Sequence, residues 1–272
     1  MSRLAIVLLS LLIAHPAVAQ FGDIMKYKDK LKKGAKVATA VAHETTEEEE
    51  KEIGRVVAAR VLATYPLSAK DRLQKYVTLV GRTVAAYSSR PTLEWHFAVL
   101  ETPLVNAFSA PGGYLFVTTG ALAQMHSEAE LAAVLGHEIA HATEKHILRE
   151  IRRANVYAAG MDIVDDRVSA LNDDIAAKIG NMAHEKLFKT GIGRKEEIDA
   201  DRIGSELASK AGYRADALVS FLTSLQALAA HDGSALSQLT ATHPSSDARV
   251  KALGALGTSG ESLGERFVAW TE

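Results

Sequence analysis

The 272-residue sequence contains no cysteine. That absence excludes disulfides, thiolate metal ligands and a lipid-modified N-terminal cysteine. An excess of one charge is missing too. The 31 Lys and Arg stand against 33 Asp and Glu, a net charge of −2. With a pI near 6.6, nothing points to a nucleic-acid surface. After residue 19 no apolar run reaches the ~20 residues that span a bilayer, and no internal repeat or low-complexity tract is visible. What is present, 47% apolar and 24% charged residues, suffices for one good core, or a core plus a small lobe.

The N-terminus, "MSRLAIVLLSLLIAHPAVAQ", has one early cation, Arg3, then an apolar run from Leu4 to Ala14 and small residues at Ala17 and Ala19. This is the layout of a secretory signal over residues 1–19, with cleavage expected before Gln20. The expectation is therefore an exported protein with no membrane span after cleavage. Residues 20–44, including "KYKDKLKKGAK", read as a flexible, basic lead-in. Residues 45–272 read as one domain.

Within that domain, Thr46 and Glu49 form a capping-box pattern at the start of "TTEEEEKEIGRVVAARVLA", where the acids also suit the helix dipole. Ile53, Val56, Val57, Val61 and Leu62 make its buried stripe. A second helix is expected from Ala69 to about Ala86. "LEWHFAVLE" alternates, with Trp95, Phe97 and Val99 on one face, and predicts a strand; His96, on the other face, reads as structural. Two short strands joined by Pro111-Gly112-Gly113 follow, the second from Tyr114 to Val117. From Ser127, itself in a capping-box pattern with Glu130, the chain is helical almost throughout. A break near "KTGIGR" precedes a helix from about Lys195 to Lys210, and further helices follow "GYRADA" and "THPSSDAR". The fold class is α+β, mainly α, with a small antiparallel sheet placed before a central helix.

That central helix carries a contradiction. "LAAVLGHEIAHA" is destined for a core, yet it holds His137, Glu138 and His141, and an unpaired buried polar group costs about 1–3 kcal/mol. Two imidazoles four residues apart lie one turn apart on nearly the same face and can converge on one metal ion. Glu138, about 100° round the helix, is poorly placed as a ligand and well placed to reach a water beside the ion. Two ligands and a general base on one turn is the H-E-x-x-H pattern.

A catalytic zinc site usually takes three protein ligands. A histidine six residues after His141 would serve, but that position is Ile147, and His146 is one residue early and would point elsewhere. "GRKEEIDADRIG" is the better source. Glu197 and Asp201 share a helical face, which continues into the small residues Gly204 and Ala208 and so admits a close neighbour helix. Glu197 would complete a His-His-Glu set, with Glu196 the other candidate. Asp201 would accept the remaining ring N–H of a ligating histidine. His43, His126, His184 and His231 have no spacing partner and read as surface or structural.

"NAFSAPGGYLFVTTGAL", "SEAELAAVLGHEIAHATEKH", "RKEEIDADRIG" and "THPSSDAR" resemble, in order, segments of the gluzincin-type zinc metallopeptidases. That family includes the CAAX prenyl endopeptidase and the bacterial heat-shock membrane protease, and the likeness is closest to its soluble, exported branch. The family's second motif commonly reads Ser-Arg-x-x-Glu-x-Glu-Ala-Asp. Here Gly193 and Asp199 depart from it, while Arg194, Glu197, Ala200 and Asp201 match. The resemblance implies a zincin-like metallopeptidase domain over 45–272 and one zinc per chain held by His137, His141 and Glu197. It implies Glu138 as the base and Asp201 as an auxiliary proton donor or a partner of a ligand. It also implies an extended protein substrate paired along Tyr114–Val117, the alternative being an ordinary internal strand.

His243 has two open roles: capping a helix start, or reaching the metal as a removable fourth ligand or transition-state contact. The implied setting is the periplasm and the implied work is turnover of unfolded or misassembled envelope proteins. The region from Arg153 to Thr190 either lids the cleft or simply packs. Two other functions fit the same residues. One is a chaperone-like binding protein with a structural zinc, and the other is a different zinc hydrolase such as a cell-wall amidase.

Overall fold

The computed structural model describes residues 46–151, 181–231, 236–243, 246–254 and 257–271. The expected signal, the basic lead-in with His43, and most of the Arg153–Thr190 region lie outside the described residues. The helices are α1 (Glu47–Thr64), α2 (Asp71–Ala85), the single turn α3 (Thr119–Leu122), α4 (Glu128–Thr143), α5 (Arg194–Lys210), α6 (Ala217–His231), α7 (Ser237–Thr242), α8 (Ser246–Leu253) and α9 (Gly264–Thr271). The strands are β1 (His96–Leu100), β2 (Ala107–Ala110) and β3 (Tyr114–Thr118). A π-helical turn, Lys186–Thr190, forms the break before α5.

The local rules act where the sequence placed them. Thr46 Oγ1 accepts from the Glu49 N–H at 3.3 Å and Glu49 Oε2 accepts from the Thr46 N–H at 2.9 Å, which closes the capping box of α1. At α4 only half of the box forms. Ser127 Oγ accepts from the Glu130 N–H at 3.2 Å, but the Glu130 carboxylate reaches one residue further back, to the His126 N–H at 2.7 Å.

The sheet has the order β1-β3-β2 and is mixed, not wholly antiparallel. β2 and β3 form the expected antiparallel hairpin across Pro111–Gly113, while β1 runs parallel to β3. The cause is the connection 101–106. It crosses the C-terminal end of β3, pinned by Gly120 N–H to Thr102 O at 2.9 Å and Thr118 N–H to Asn106 O at 3.0 Å, and so delivers β2 to the far side of β3.

This order corrects a second expectation. Tyr114–Val117 lies in the central strand, with neighbours on both edges, so it offers no free edge to a substrate. The outer side of β1 is covered by Pro66–Ser68, through Ser68 N–H to Val99 O at 2.9 Å and Glu101 N–H to Pro66 O at 2.8 Å. β1 and β2 are both edge strands of the sheet, and the bridge from Leu67 to Leu100 lies along β1.

The strand alternation separates two cores. Phe97, Val99, Leu115 and Val117 face α2, α4 and α6, whereas Ala98, Leu100, Phe108 and Phe116 face α1 and the residues around Ile147 and Leu187. Both faces of all three strands are therefore buried. α4 runs through the middle, buried at every residue from Glu128 to Ala142.

Candidate metal centre

Two helices build the centre, and glycine sets their separation. α4 crosses α5 with Gly136 against Gly204: a Cβ on Gly136 would lie 2.6 Å from Gly204 O, and one on Gly204 would lie 2.4 Å from the His137 backbone nitrogen. No side chain fits between them. This approach brings the face carrying His137 and His141 onto the face carrying Glu197 and Asp201.

His137 Nε2 and His141 Nε2 then lie 2.9 Å apart. Glu197 Oε1 is 3.4 Å from His141 Nε2, and Oε2 is 3.7 Å from His137 Nε2. The His243 ring closes the group, with Nδ1 2.9 Å from Glu197 Oε2. One donor atom from each of His137, His141, Glu197 and His243 falls within 4.8 Å of all the others. Glu196, the other sequence candidate, is partly exposed at the start of α5 and takes no part in this cluster.

The cluster fits zinc on two further counts. Its donors are imidazole nitrogens and a carboxylate, and ligand atoms about 2.0–2.1 Å from a tetrahedral zinc stand about 3.3 Å apart, close to the spacing of the two imidazoles and Glu197. Glu197 Oε1 is also buried without a hydrogen-bond partner among the described residues, an arrangement that costs about 1–3 kcal/mol unless a cation satisfies it.

Asp201 lies behind the cluster. Its Oδ1 is 2.8 Å from His137 Nδ1, the ring nitrogen facing away from the donor group. Both its oxygens also accept from Arg249, at 2.7 Å from Nε and 2.6 Å from the terminal nitrogen. Burial alone would raise the Asp201 pKa, but hydrogen bonds from Arg249 and His137 hold it below the ordinary value. Both Asp201 oxygens are thus committed, Oδ1 to His137 and Arg249 and Oδ2 to Arg249.

Glu197 is likewise held well below the usual range. Burial opposes ionisation, and the charge of the neighbouring His243 ring, which also bonds Glu197 Oε2, outweighs it. His243 shows the reverse balance: burial would lower its pKa, but the Glu197 carboxylate pushes it up to about 9. Its Nε2 is 3.3 Å from the carbonyl of Ala107, the first residue of β2, and 3.9 Å from Glu138 Oε1. Glu138 itself lies outside the donor group. It lines the same cleft as His137 and His243, beside Asn106 and Ala107.

Two participants were not legible from spacing. Arg249, the last residue of "THPSSDAR", clamps Asp201 and has its other terminal nitrogen 3.5 Å from Glu197 Oε2. His146 does point away from the donor group, but its Nδ1 is 2.7 Å from His141 Nδ1. It returns to α4 because Lys145 takes a positive φ of 54° just after the helix ends. Burial, with His141 beside it, lowers the His146 pKa to about 3. A neutral ring can therefore accept the Nδ1–H of His141 and leave His141 Nε2 free as a lone pair. Of the other histidines, His96 stacks on Tyr114 and His184 on Phe188, the His126 side chain is exposed, and the His231 side chain lies outside the described residues.

The comparison with known proteins agrees with this geometry. The model of Peptidase family M48 matches residues 71–256, a span that contains the whole centre. The mitochondrial metalloendopeptidase OMA1 of Arabidopsis thaliana is 34% identical over 191 residues, covering 70% of this chain and 37% of that protein. OMA1 of Schizosaccharomyces pombe is 31% identical over 176 residues, 65% of this chain and 50% of the relative. The putative β-barrel assembly-enhancing protease of Vibrio cholerae is 28% identical over 215 residues, 77% of this chain and 43% of the relative. The chain thus spans half or less of the length of these relatives. A family match across most of the chain, centred on two helices that present two imidazoles and a carboxylate to one point, shows that the chain belongs to Peptidase family M48.

Proposed function

We propose that this chain is a zinc-dependent endopeptidase, with residues 45–272 as its catalytic domain. The observation that carries the reading is Glu138. It is a buried carboxylate on the same helical turn as two donors, outside the donor group, and it faces the cleft. A site built only to hold a metal has no use for it.

In this reading His137, His141 and Glu197 would hold the zinc, and His243 would be a removable fourth donor. When bound, zinc polarises the scissile carbonyl and makes water a nucleophile near neutral pH. Glu138 takes the proton from the attacking water and passes one to the leaving amine. Asp201, steadied by Arg249, keeps His137 in the tautomer whose Nε2 faces the centre, and His146 does the same for His141. The substrate is an extended segment of protein. Because β3 is internal, the strand that suits it is β2, whose Ala107 carbonyl points into the site and is engaged by His243. Main-chain pairing there gives affinity with little demand on sequence.

The setting we propose is the periplasm, with residues 1–19 removed on export and residues 20–44 as a basic lead-in. No helix among the described residues is long and apolar enough to cross a membrane. Relatives named for enhancing β-barrel assembly support envelope proteins as substrates, and the OMA1 relatives are mitochondrial. The chaperone-like alternative gains from His243, since four protein ligands describe a closed, structural zinc.

One experiment separates the two readings. The purified protein and its Glu138→Gln variant are incubated with an unfolded polypeptide, with zinc content measured in both. The peptidase reading expects fragments that fall about 10²- to 10⁴-fold in rate in the variant while zinc is retained. Suppressed aggregation without fragments, equal in both proteins, would establish the holdase.

A further inference from the structure

The residue that follows the cap of α4 is a lysine in a place that favours glycine. Lys145 comes directly after the C-cap, Glu144, and has a φ of 54°. Left-handed backbone crowds any Cβ, which is why glycine or asparagine commonly ends a helix there. The turn is nevertheless well made, with Lys145 N–H bonded to Ala142 O at 3.1 Å and Arg149 N–H to Lys145 O at 3.0 Å. A side chain kept at a strained position needs a partner that justifies it. Lys145 Nζ is 3.5 Å from Glu50 Oε2.

Glu50 lies in the first turn of α1 and is 0% exposed. The acids before it, Glu47 and Glu48, are exposed and suit the helix dipole. A carboxylate as buried as Glu50 is sustained only by partners. Its Oε1 accepts from Arg90 at 2.8 Å and from the Gly112 N–H at 3.1 Å. Its Oε2 accepts no hydrogen bond among the described residues and faces the Lys145 ammonium.

These contacts meet the metal centre from behind. Glu50 lines one small cavity with Lys145, His141 and Ala110, the last residue of β2. Lys145 sets the direction of His146, whose Nδ1 is 2.7 Å from His141 Nδ1. Gly112 belongs to the turn that ends β2. A Cβ on Gly54 would lie 2.0 Å from Pro111 O, so α1 is seated directly on that turn.

We propose that Glu50 and Lys145 are positioning residues of the metal centre. Their ion pair holds the Lys145 backbone left-handed, and that backbone turns the His146 ring onto His141. Neither side chain touches the metal or the substrate. The inference rests on the reading of His141 as a zinc ligand. A salt bridge that only pinned α1 to the end of α4 would need no particular backbone at residue 145 and would act on stability alone. Glycine separates the two roles, because it takes the same φ without help.

The test measures zinc affinity of the full-length protein by competition with a chromogenic chelator, at a condition where urea midpoints show every variant folded. Lys145→Met keeps the Cβ and the stem but loses the cation. It should weaken zinc binding about 10-fold, the low end for losing a group that orients a ligand. Lys145→Gly should recover most of that loss, although it too lacks the cation. Glu50→Gln should weaken zinc binding in the wild type and have little effect in the Lys145→Gly background. In His146→Leu, where the ring is already gone, neither Lys145→Met nor Glu50→Gln should lower the affinity further, because residues that act through one another are not additive. If Glu50→Gln folds poorly, the Lys145 variants decide the matter alone.

Wild-type affinity in Lys145→Met, or equal losses in Lys145→Met and Lys145→Gly, overturns the proposal and leaves the peptidase reading standing. So does a further loss in the His146→Leu background. A wild-type protein that binds no stoichiometric zinc overturns the reading of His141 itself, and this role with it.

Discussion

At the scale of single residues, the centre depends on tautomers. The two histidines of α4 proposed as ligands must present Nε2 as a lone pair, and each has its Nδ1 held from behind, by Asp201 for His137 and by His146 for His141. Losing a partner of this kind typically lowers metal affinity about 10- to 100-fold. We therefore predict that His146→Leu weakens zinc binding by that factor, measured by competition with a chromogenic chelator. His146→Gln, whose side-chain oxygen can still accept, should recover part of it. Equal affinities in wild type and His146→Leu would assign His146 to packing. His137, Glu138 and His141 were legible in the sequence because a helical turn is a local object. His146 was not, because its direction depends on the positive φ of Lys145, which no spacing rule anticipates. Arg249 was hidden for a different reason: its partner Asp201 is 48 residues away.

At the scale of elements, the α4–α5 crossing is the part that cannot give. Backbone meets backbone at Gly136 and Gly204, so a methyl group there must push the helices apart. Overpacking costs about 1–3 kcal/mol, and the shift also separates the imidazoles from Glu197. Gly204→Ala should therefore lose denaturant resistance and zinc stoichiometry together, whereas Gly257→Ala, in open space, should change neither. The small residues of α5 announced a close neighbour in the sequence. The order of the sheet was harder to read. Alternation identified the strands, but both faces are buried and the pairing is decided by the connection 101–106 wrapping over β3. That is a long-range outcome, and it moved the open edge from Tyr114–Val117 to β2.

At the scale of the whole molecule, two cores and no covalent cross-link must hold the centre in place. Glu128, at the start of α4, joins three distant segments. It accepts from Tyr76 of α2 at 2.8 Å, from Tyr213 at 2.7 Å, and from Arg266 of α9. Burial would raise its pKa above the ordinary 4.5, but hydrogen bonds from Arg266, Tyr213 and Tyr76 bring it below that value. A carboxylate with a depressed folded pKa stabilises the fold at pH above its unfolded value, and the contribution disappears as pH falls through the folded value. The stability gap between wild type and Glu128→Gln should therefore be widest above pH 4.5 and shrink below it, as read from urea midpoints. A gap that widens on acidification would contradict this.

Metal binding acts at the same scale. A ligand that binds only the folded chain stabilises it by about 4 kcal/mol at a thousand times its dissociation constant. Chelation should lower the melting temperature of wild type and leave a Glu197→Gln variant, which lacks the carboxylate donor, nearly unaffected.

The central claim is that α4 and α5 grip one zinc between two imidazoles and a carboxylate. Zinc K-edge absorption spectroscopy on the purified protein, with metal content measured on the same sample, tests it most directly. The account predicts one zinc per chain in a shell of nitrogen and oxygen atoms at about 2.0–2.2 Å, two or more of them imidazole, with the signal lost in His141→Ala. Substoichiometric zinc, or a spectrum unchanged in His141→Ala, would contradict it.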